Sequence, residues 1–186
     1  MKIKKLILVG VLLAALLCGT SVAYMFKVTS QENNSFIPAT VSCRVEEEFD
    51  GEVKTDIQIE NTSNIPVYLR LRLVTYWVNT DSEGKEYIAS KPSASLDSVQ
   101  YESNLWLKGD DNTYYYTQIV NESDGVSNQH FTQNLLTAPI VLSEDDEGYR
   151  QVVEVFAEAI QAEPAKAVES AWPVKIDAET GCISLK

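Results

Sequence analysis

Hydrophobic and polar residues alternate along most of this chain with the two-residue period of a β-strand. Between Glu52 and Glu60, Val53, Thr55, Ile57 and Ile59 are set to point one way and Lys54, Asp56, Gln58 and Glu60 the other. The polar run Asn61-Thr62-Ser63-Asn64-Ile65-Pro66 predicts a turn. The alternation then resumes from Val67 to Val78. Val67, Leu69, Leu71, Leu73, Thr75 and Trp77 form the apolar side, and Tyr68, Arg70, Arg72, Val74 and Tyr76 lie opposite. After the loop Asn79–Gly84 comes Tyr87-Ile88-Ala89. Together these segments predict an antiparallel sheet with one solvated face.

Downstream, the Ser-rich stretch Ser90–Gln100 with Pro92 predicts a loop, and Leu105-Trp106-Leu107 a short apolar patch. Lys108–Asn112 reads as a turn, Thr113–Val120 as a strand, and Asn121–Asn128 as a second loop. Leu135–Leu142 carries Pro139 and predicts an edge strand or a strand–loop junction. Ser143–Gly148 is a charged turn. Tyr149–Ala162 is helix-friendly residue by residue, but Gln151, Val153, Val155, Ala157 and Ala159 alternate with Val152, Glu154, Phe156, Glu158 and Ile160. That alternation predicts a central strand, with alanines where a facing sheet comes close. Ala165–Trp172 predicts a short helix with Ala165, Val168 and Trp172 on one face, ended by Pro173.

The first residues follow a different pattern. Lys2, Lys4 and Lys5 precede a 12-residue apolar run from Leu6 to Leu17, and Ser21-Val22-Ala23 supplies a small-x-small site. This predicts a signal-peptide helix over residues 1–23 with cleavage between Ala23 and Tyr24. An uncleaved anchor would want roughly 18 or more apolar residues. A lipoprotein reading through Cys18 meets the bulky Leu17 just before it. The expected domains are therefore 1–23 (signal peptide), 24–40 (N-terminal segment) and 41–186 (β-sandwich domain). The expected location is secreted, with membrane contact only through an uncleaved signal segment and a signal peptidase as partner during export.

Charge narrows the partners. The chain holds 15 Lys and Arg against 27 Asp and Glu; without the three signal lysines the balance is 12 against 27, a net charge of −15. Such a surface repels nucleic acid and anionic lipid. Two cysteines remain after cleavage, Cys43 and Cys182. Paired, they would close a loop of roughly 140 residues; left apart, they are two separate thiols. Neither has the surroundings of a nucleophile.

Catalytic motifs are scarce. A zinc hydrolase needs three protein ligands, and this chain has one histidine, His130. There is no Gly-x-Ser-x-Gly and no phosphate loop. Asp110-Asp111-Asn112 and Glu144-Asp145-Asp146-Glu147 suit a structural calcium better than zinc, or are solvated turns. No other cofactor is expected. Trp106 with Tyr114, Tyr115 and Tyr116 offers material for an aromatic sugar platform, although alternation puts Tyr115 on the face opposite Tyr114 and Tyr116.

Several motifs in sequence resemble the TasA/camelysin family of exported Gram-positive proteins, whose signal peptides are cut by a W-type signal peptidase. They are Ser21-Val22-Ala23-Tyr24-Met25-Phe26, Asn34-Ser35-Phe36, Glu60-Asn61-Thr62, Val67-Tyr68-Leu69-Arg70-Leu71, Tyr114-Tyr115-Tyr116, and Glu158-Ala159-Ile160-Gln161-Ala162 followed by Ala171-Trp172. Ile37-Pro38-Ala39-Thr40 stands where the family has a Gly-rich opening. The resemblance implies an all-β, jelly-roll-like antiparallel β-sandwich. It also implies one of two roles: a biofilm matrix fibre subunit or a camelysin-like surface metallopeptidase. A carbohydrate- or surface-binding module is the third reading. For a fibre, the processed end gives a mechanism. Tyr24, Phe26 and Val28 share one face of a segment that can add to the sheet of a neighbouring subunit or a related matrix protein, or fold onto its own domain.

Overall fold

The computed structural model describes residues 38–125, 128–145 and 147–186. The signal-peptide helix, the Ala23/Tyr24 cleavage site and the segment carrying Tyr24, Phe26 and Val28 lie outside the described residues. Residues 39–186 form one compact unit. Among the described residues it is all-β with one short helix, and its ladders are antiparallel.

The strands are β1 (Cys43–Phe49), β2 (Val53–Asn61), β3 (Val67–Thr80), β4 (Glu86–Ile88), β5 (Trp106–Lys108), β6 (Thr113–Tyr116), β7 (Ile140–Val141) and β8 (Arg150–Gln161). The helix α1 (Ala165–Ala171) and the hairpin β9 (Val174–Ile176) and β10 (Ile183–Leu185) follow. One sheet has the order β1-β2-β7. The larger sheet is built around β3, which pairs along one edge with β8 from Val67↔Gln161 to Val78↔Arg150. Its other edge takes β6 at Arg70–Arg72 and β4 at Val78–Thr80, and β5 continues beyond β6. The main core lies between the sheets: Ile57 and Ile59 from β2 meet Val67, Leu69, Leu71 and Leu73 from β3, with Trp106, Tyr114 and Leu135. Two sheets enclosing one apolar layer are the arrangement of a β-sandwich.

The outer face of β3 is covered too. Tyr68 packs with Tyr115, Val168, Trp172, Val174 and Ile183 in a second apolar cluster beneath α1 and the C-terminal hairpin. Arg70 lies 4.9 Å from the Trp172 ring and donates from Nη2 to Glu158 Oε2 at 2.7 Å. The Tyr68 hydroxyl donates to the Gly181 carbonyl at 2.6 Å, tying the hairpin to the sheet. The expected helix is in place, with Val168 and Trp172 on its buried side.

Three expectations are corrected. First, β2 does not keep one phase. Glu46 pairs with Gln58 but Glu48 with Thr55, so Asp56 and Ile57 together oppose Glu47. Asp56 takes a left-handed φ of 46°, which Asp tolerates better than most residues. This β-bulge shifts the alternation by one. Ile57 and Ile59 stay fully buried, Val53 and Thr55 are only half-buried, and Lys54 turns inward at 4 % exposure. Second, the strand predicted over Thr113–Val120 ends at Tyr116, because the Thr117 carbonyl is taken by the Ile183 N–H of β10. Val120 rejoins the sheet only through a bridge to Val67. Third, β8 is a strand, as the alternation predicts, but among the described residues it pairs only with β3 and so stands at an edge rather than in the centre.

Inward-facing Lys54 is held by both oxygens of Glu47 at 2.7 Å and lies 5.1 Å from the Phe49 ring. Glu47→Ala would leave that ammonium buried without its partner. An unfolding titration in urea is expected to show a loss of about 1–3 kcal/mol, with Lys54→Met in the same background restoring most of it.

Candidate functional site

The feature with the clearest functional consequence is a seam between the sheets. β8 bonds β3 along one edge only. Its outer edge is met at the start by residues 143–145, where the Gln151 N–H donates to the Ser143 carbonyl at 2.8 Å. From Val152 to Gln161 that edge has no ladder partner among the described residues. β1 lies against β8 across the seam and among the described residues likewise pairs only with β2. A row of unpaired backbone N–H and C=O groups is a template for another strand.

Side chains shape this edge. On the inner side of β8, Val155, Ala157 and Ala159 pack on the core but stay only partly buried. The two alanines leave room for larger neighbours. On the outer side, Glu154, Phe156 and Glu158 are exposed, Phe156 at 52 %. β1 brings Glu46, Glu47 and Glu48. The seam is therefore small and apolar inside. Of the carboxylates at its rims, Glu46, Glu47 and Glu158 are ion-paired with Arg44, Lys54 and Arg70, which leaves Glu48 and Glu154 without an ion-pair partner among the described residues. In an antiparallel self-pairing of β8 centred on Phe156, Glu154 would face Glu158 of the other copy, which opposes edge-to-edge dimerisation.

The residues singled out in the sequence for chemistry do not converge. His130 stacks on Phe131 with ring centroids 4.4 Å apart, and its Nε2 lies 3.8 Å from Glu60 Oε1. The other oxygen of Glu60 forms an ion pair with Arg44 at 2.6 Å. One imidazole beside one engaged carboxylate is short of the three ligands a catalytic zinc requires. Among the described residues no group of three or more His, Cys, Asp or Glu side chains is placed to hold a metal ion. Asp111 and Asn112 have φ near 52° and 53°, and the Thr113 N–H donates to the Asp110 carbonyl at 3.0 Å. That is the signature of a type I′ hairpin turn, which favours Asp and Asn. In the other acidic run, Asp145 accepts from the N–H groups of Glu147 and Tyr149 and from Lys91. These bonds hold its carboxyl below the usual range, Lys91 being the largest influence. Asp146 lies outside the described residues.

The aromatic platform is not assembled. Trp106, Tyr114, Tyr115 and Tyr116 are all buried, Tyr114 and Tyr116 in the main core and Tyr115 in the second cluster. Burial pushes the Tyr114 phenol up to about 12. Cys43 and Cys182 are both free thiols, the second of the two arrangements that the sequence leaves open. Cys43 opens β1 and packs against the main core, while Cys182 sits in the β9–β10 loop beside Thr180.

No protein-family model, curated protein or solved structure matches this chain. Its functional reading therefore rests on the seam and on what surrounds it. No helix of the described residues is long and apolar enough to cross a membrane.

Burial, and then the charge of Glu158, raise the Cys43 thiol pKa above its ordinary value. A raised pKa leaves less thiolate at a given pH. Cys43 should thus react slowly with iodoacetamide near neutral pH and faster as the pH rises. Unfolded without reductant, the chain beginning at Tyr24 should take up two maleimides by mass spectrometry; none would indicate a Cys43–Cys182 bond.

Proposed function

We propose that this chain is a secreted structural protein of an extracellular matrix or cell surface, with a jelly-roll-like sandwich that polymerises by strand addition. Segment Tyr24–Val28 of one subunit enters the β1/β8 seam of the next. The observation that carries this reading is the edge of β8 that has no ladder partner among the described residues, backed on its inner side by Ala157 and Ala159.

The chemistry of the two partners is complementary. Tyr24, Phe26 and Val28 are large where β8 is small, so their shared face fills the space over Ala157 and Ala159. The opposite face carries Lys27, and cleavage creates an α-amino group at Tyr24. Both positive charges would meet Glu154 and Glu48, the rim carboxylates without an ion-pair partner among the described residues. The added backbone satisfies the N–H and C=O groups of the β8 edge, in the manner of β-augmentation. Donor segment and acceptor seam are different surfaces, so the contact is heterologous and does not close on itself. An uncleaved signal segment would keep the donor at the membrane and delay assembly. The resemblance to the TasA/camelysin family supports the same reading, with self-association or a related matrix protein as partner.

Electron microscopy of the chain beginning at Tyr24 is expected to show filaments, which should disappear when residues 24–28 are removed. Ala157→Trp, which fills the acceptor from within, should also abolish them while leaving the monomer folded by circular dichroism. Monomers from the full processed chain, or filaments that persist without residues 24–28, would contradict the proposal.

A further inference from the structure

A cleft of about 430 Å³ opens between the segment after β6, residues 116–121, and the segment 128–133. It shares no lining residue with β1 or β8. Five carboxamide side chains line it: Gln118, Asn121, Asn128, Gln129 and Gln133. All five residues are exposed, and among the described residues none of these side chains is engaged in a hydrogen bond. Half-buried Phe131 and the exposed side of Ile119 supply its apolar surface, with buried Tyr116 behind. Among the described residues no Asp, Glu, Lys, Arg or His lines the cleft, on a chain whose formal net charge is −12.

The two walls are locked together by one fully buried residue, Asn61. Its backbone N–H donates to the His130 carbonyl at 2.7 Å, on one wall. Its side-chain Nδ2 donates to the carbonyls of Val120 and Asn121 at 3.0 Å, on the other. Asn61 Oδ1 accepts from the Ser63 N–H at 2.8 Å, which fixes the direction of the amide. Bridges Glu60↔Phe131 and Val67↔Val120 anchor each wall to a strand of a different sheet. The cleft is thus held open by the fold, and a ligand has little backbone to organise on entry.

We propose that this cleft binds a neutral polysaccharide. A carboxamide offers a donor and an acceptor side by side, matching hydroxyl groups that both give and accept hydrogen bonds. Charged side chains would serve an anionic or cationic ligand, and none lines the cleft among the described residues. The apolar strip of Phe131 and Ile119 suits the C–H face of a pyranose ring, and the volume falls within the range of small-molecule clefts. In a matrix protein such a site would fasten each subunit to uncharged glycan, but the binding itself does not depend on polymerisation. An extended peptide is the competing occupant, since its backbone amides also pair with carboxamides.

Saturation-transfer difference NMR on the full processed chain reads the ligand and works for monomer and filament alike. The probes are maltohexaose, cellohexaose and chitohexaose, with hexagalacturonate and a neutral Gly/Ser hexapeptide as controls. Saturation is expected to reach the ring protons of at least one neutral hexaose at millimolar concentration and to be insensitive to salt. Gln129→Ala with Gln133→Ala should weaken it about tenfold or more, a loss of about 1.4 kcal/mol. Both positions are exposed, so circular dichroism should be unchanged. Transfer only to hexagalacturonate or to the peptide would overturn the proposal. So would transfer to none of the probes, or transfer that the double variant retains.

Discussion

The structure depends on covering both faces of the first part of a single strand, β3, from Val67 to Leu71. Its odd-numbered side chains Val67, Leu69, Leu71 and Leu73 form one wall of the sandwich core. Its even-numbered Tyr68 and Arg70 are roofed by α1 and the C-terminal hairpin. A strand covered on both sides cannot shift register without moving two apolar sets at once. β3 in turn aligns everything bonded to it: β8 along one edge, and β4 and β6 along the other. Because β8 is the last strand on its side among the described residues, locking β3 also fixes where this edge of the sheet lies.

Much of this was legible in the sequence, for a physical reason. Val67–Val78 is long, its period is unbroken, and the apolar side it predicts is the side found in the core. The same rule of alternation correctly makes Tyr149–Ala162 a strand despite its helix-forming residues. Periodicity assigns faces and says nothing about neighbours, so it could not show that β8 lies at an edge. At β2 the rule fails because a bulge at Asp56 inserts one residue, and only the register with β1 reveals it. β9 and β10 are three residues each, too short for a period to register. For Trp106 and the three tyrosines core packing and sheet pairing are the cheaper reading of the sequence than a platform, and all four are buried.

The candidate sites differ in the same way. The acidic, alanine-backed edge was partly visible, since Glu154, Glu158, Ala157 and Ala159 stand in plain alternation. The cleft was not visible, because its walls come from segments about a dozen residues apart and meet only through Asn61. That residue reads in the sequence as one polar member of a turn. Its burial and three-way bonding appear only once the two sheets are brought together.

The edge and the cover are coupled. Glu158, on the outer side of β8, is held by Arg70, which is held in turn by the Trp172 ring. The open strand is therefore braced from behind and presented in one conformation, which lowers the cost of adding another strand. Glu154, which has no ion-pair partner among the described residues, disfavours pairing with a second β8 and favours a donor that carries positive charge. Hydrogen–deuterium exchange across β8 tests this most directly, comparing the processed chain with the chain lacking residues 24–28. In the assembled chain, the outward amides from Val152 to Gln161 should become as protected as those already bonded to β3. If those amides exchange equally fast in both, the seam is not the acceptor and subunits do not assemble by adding a strand to β8.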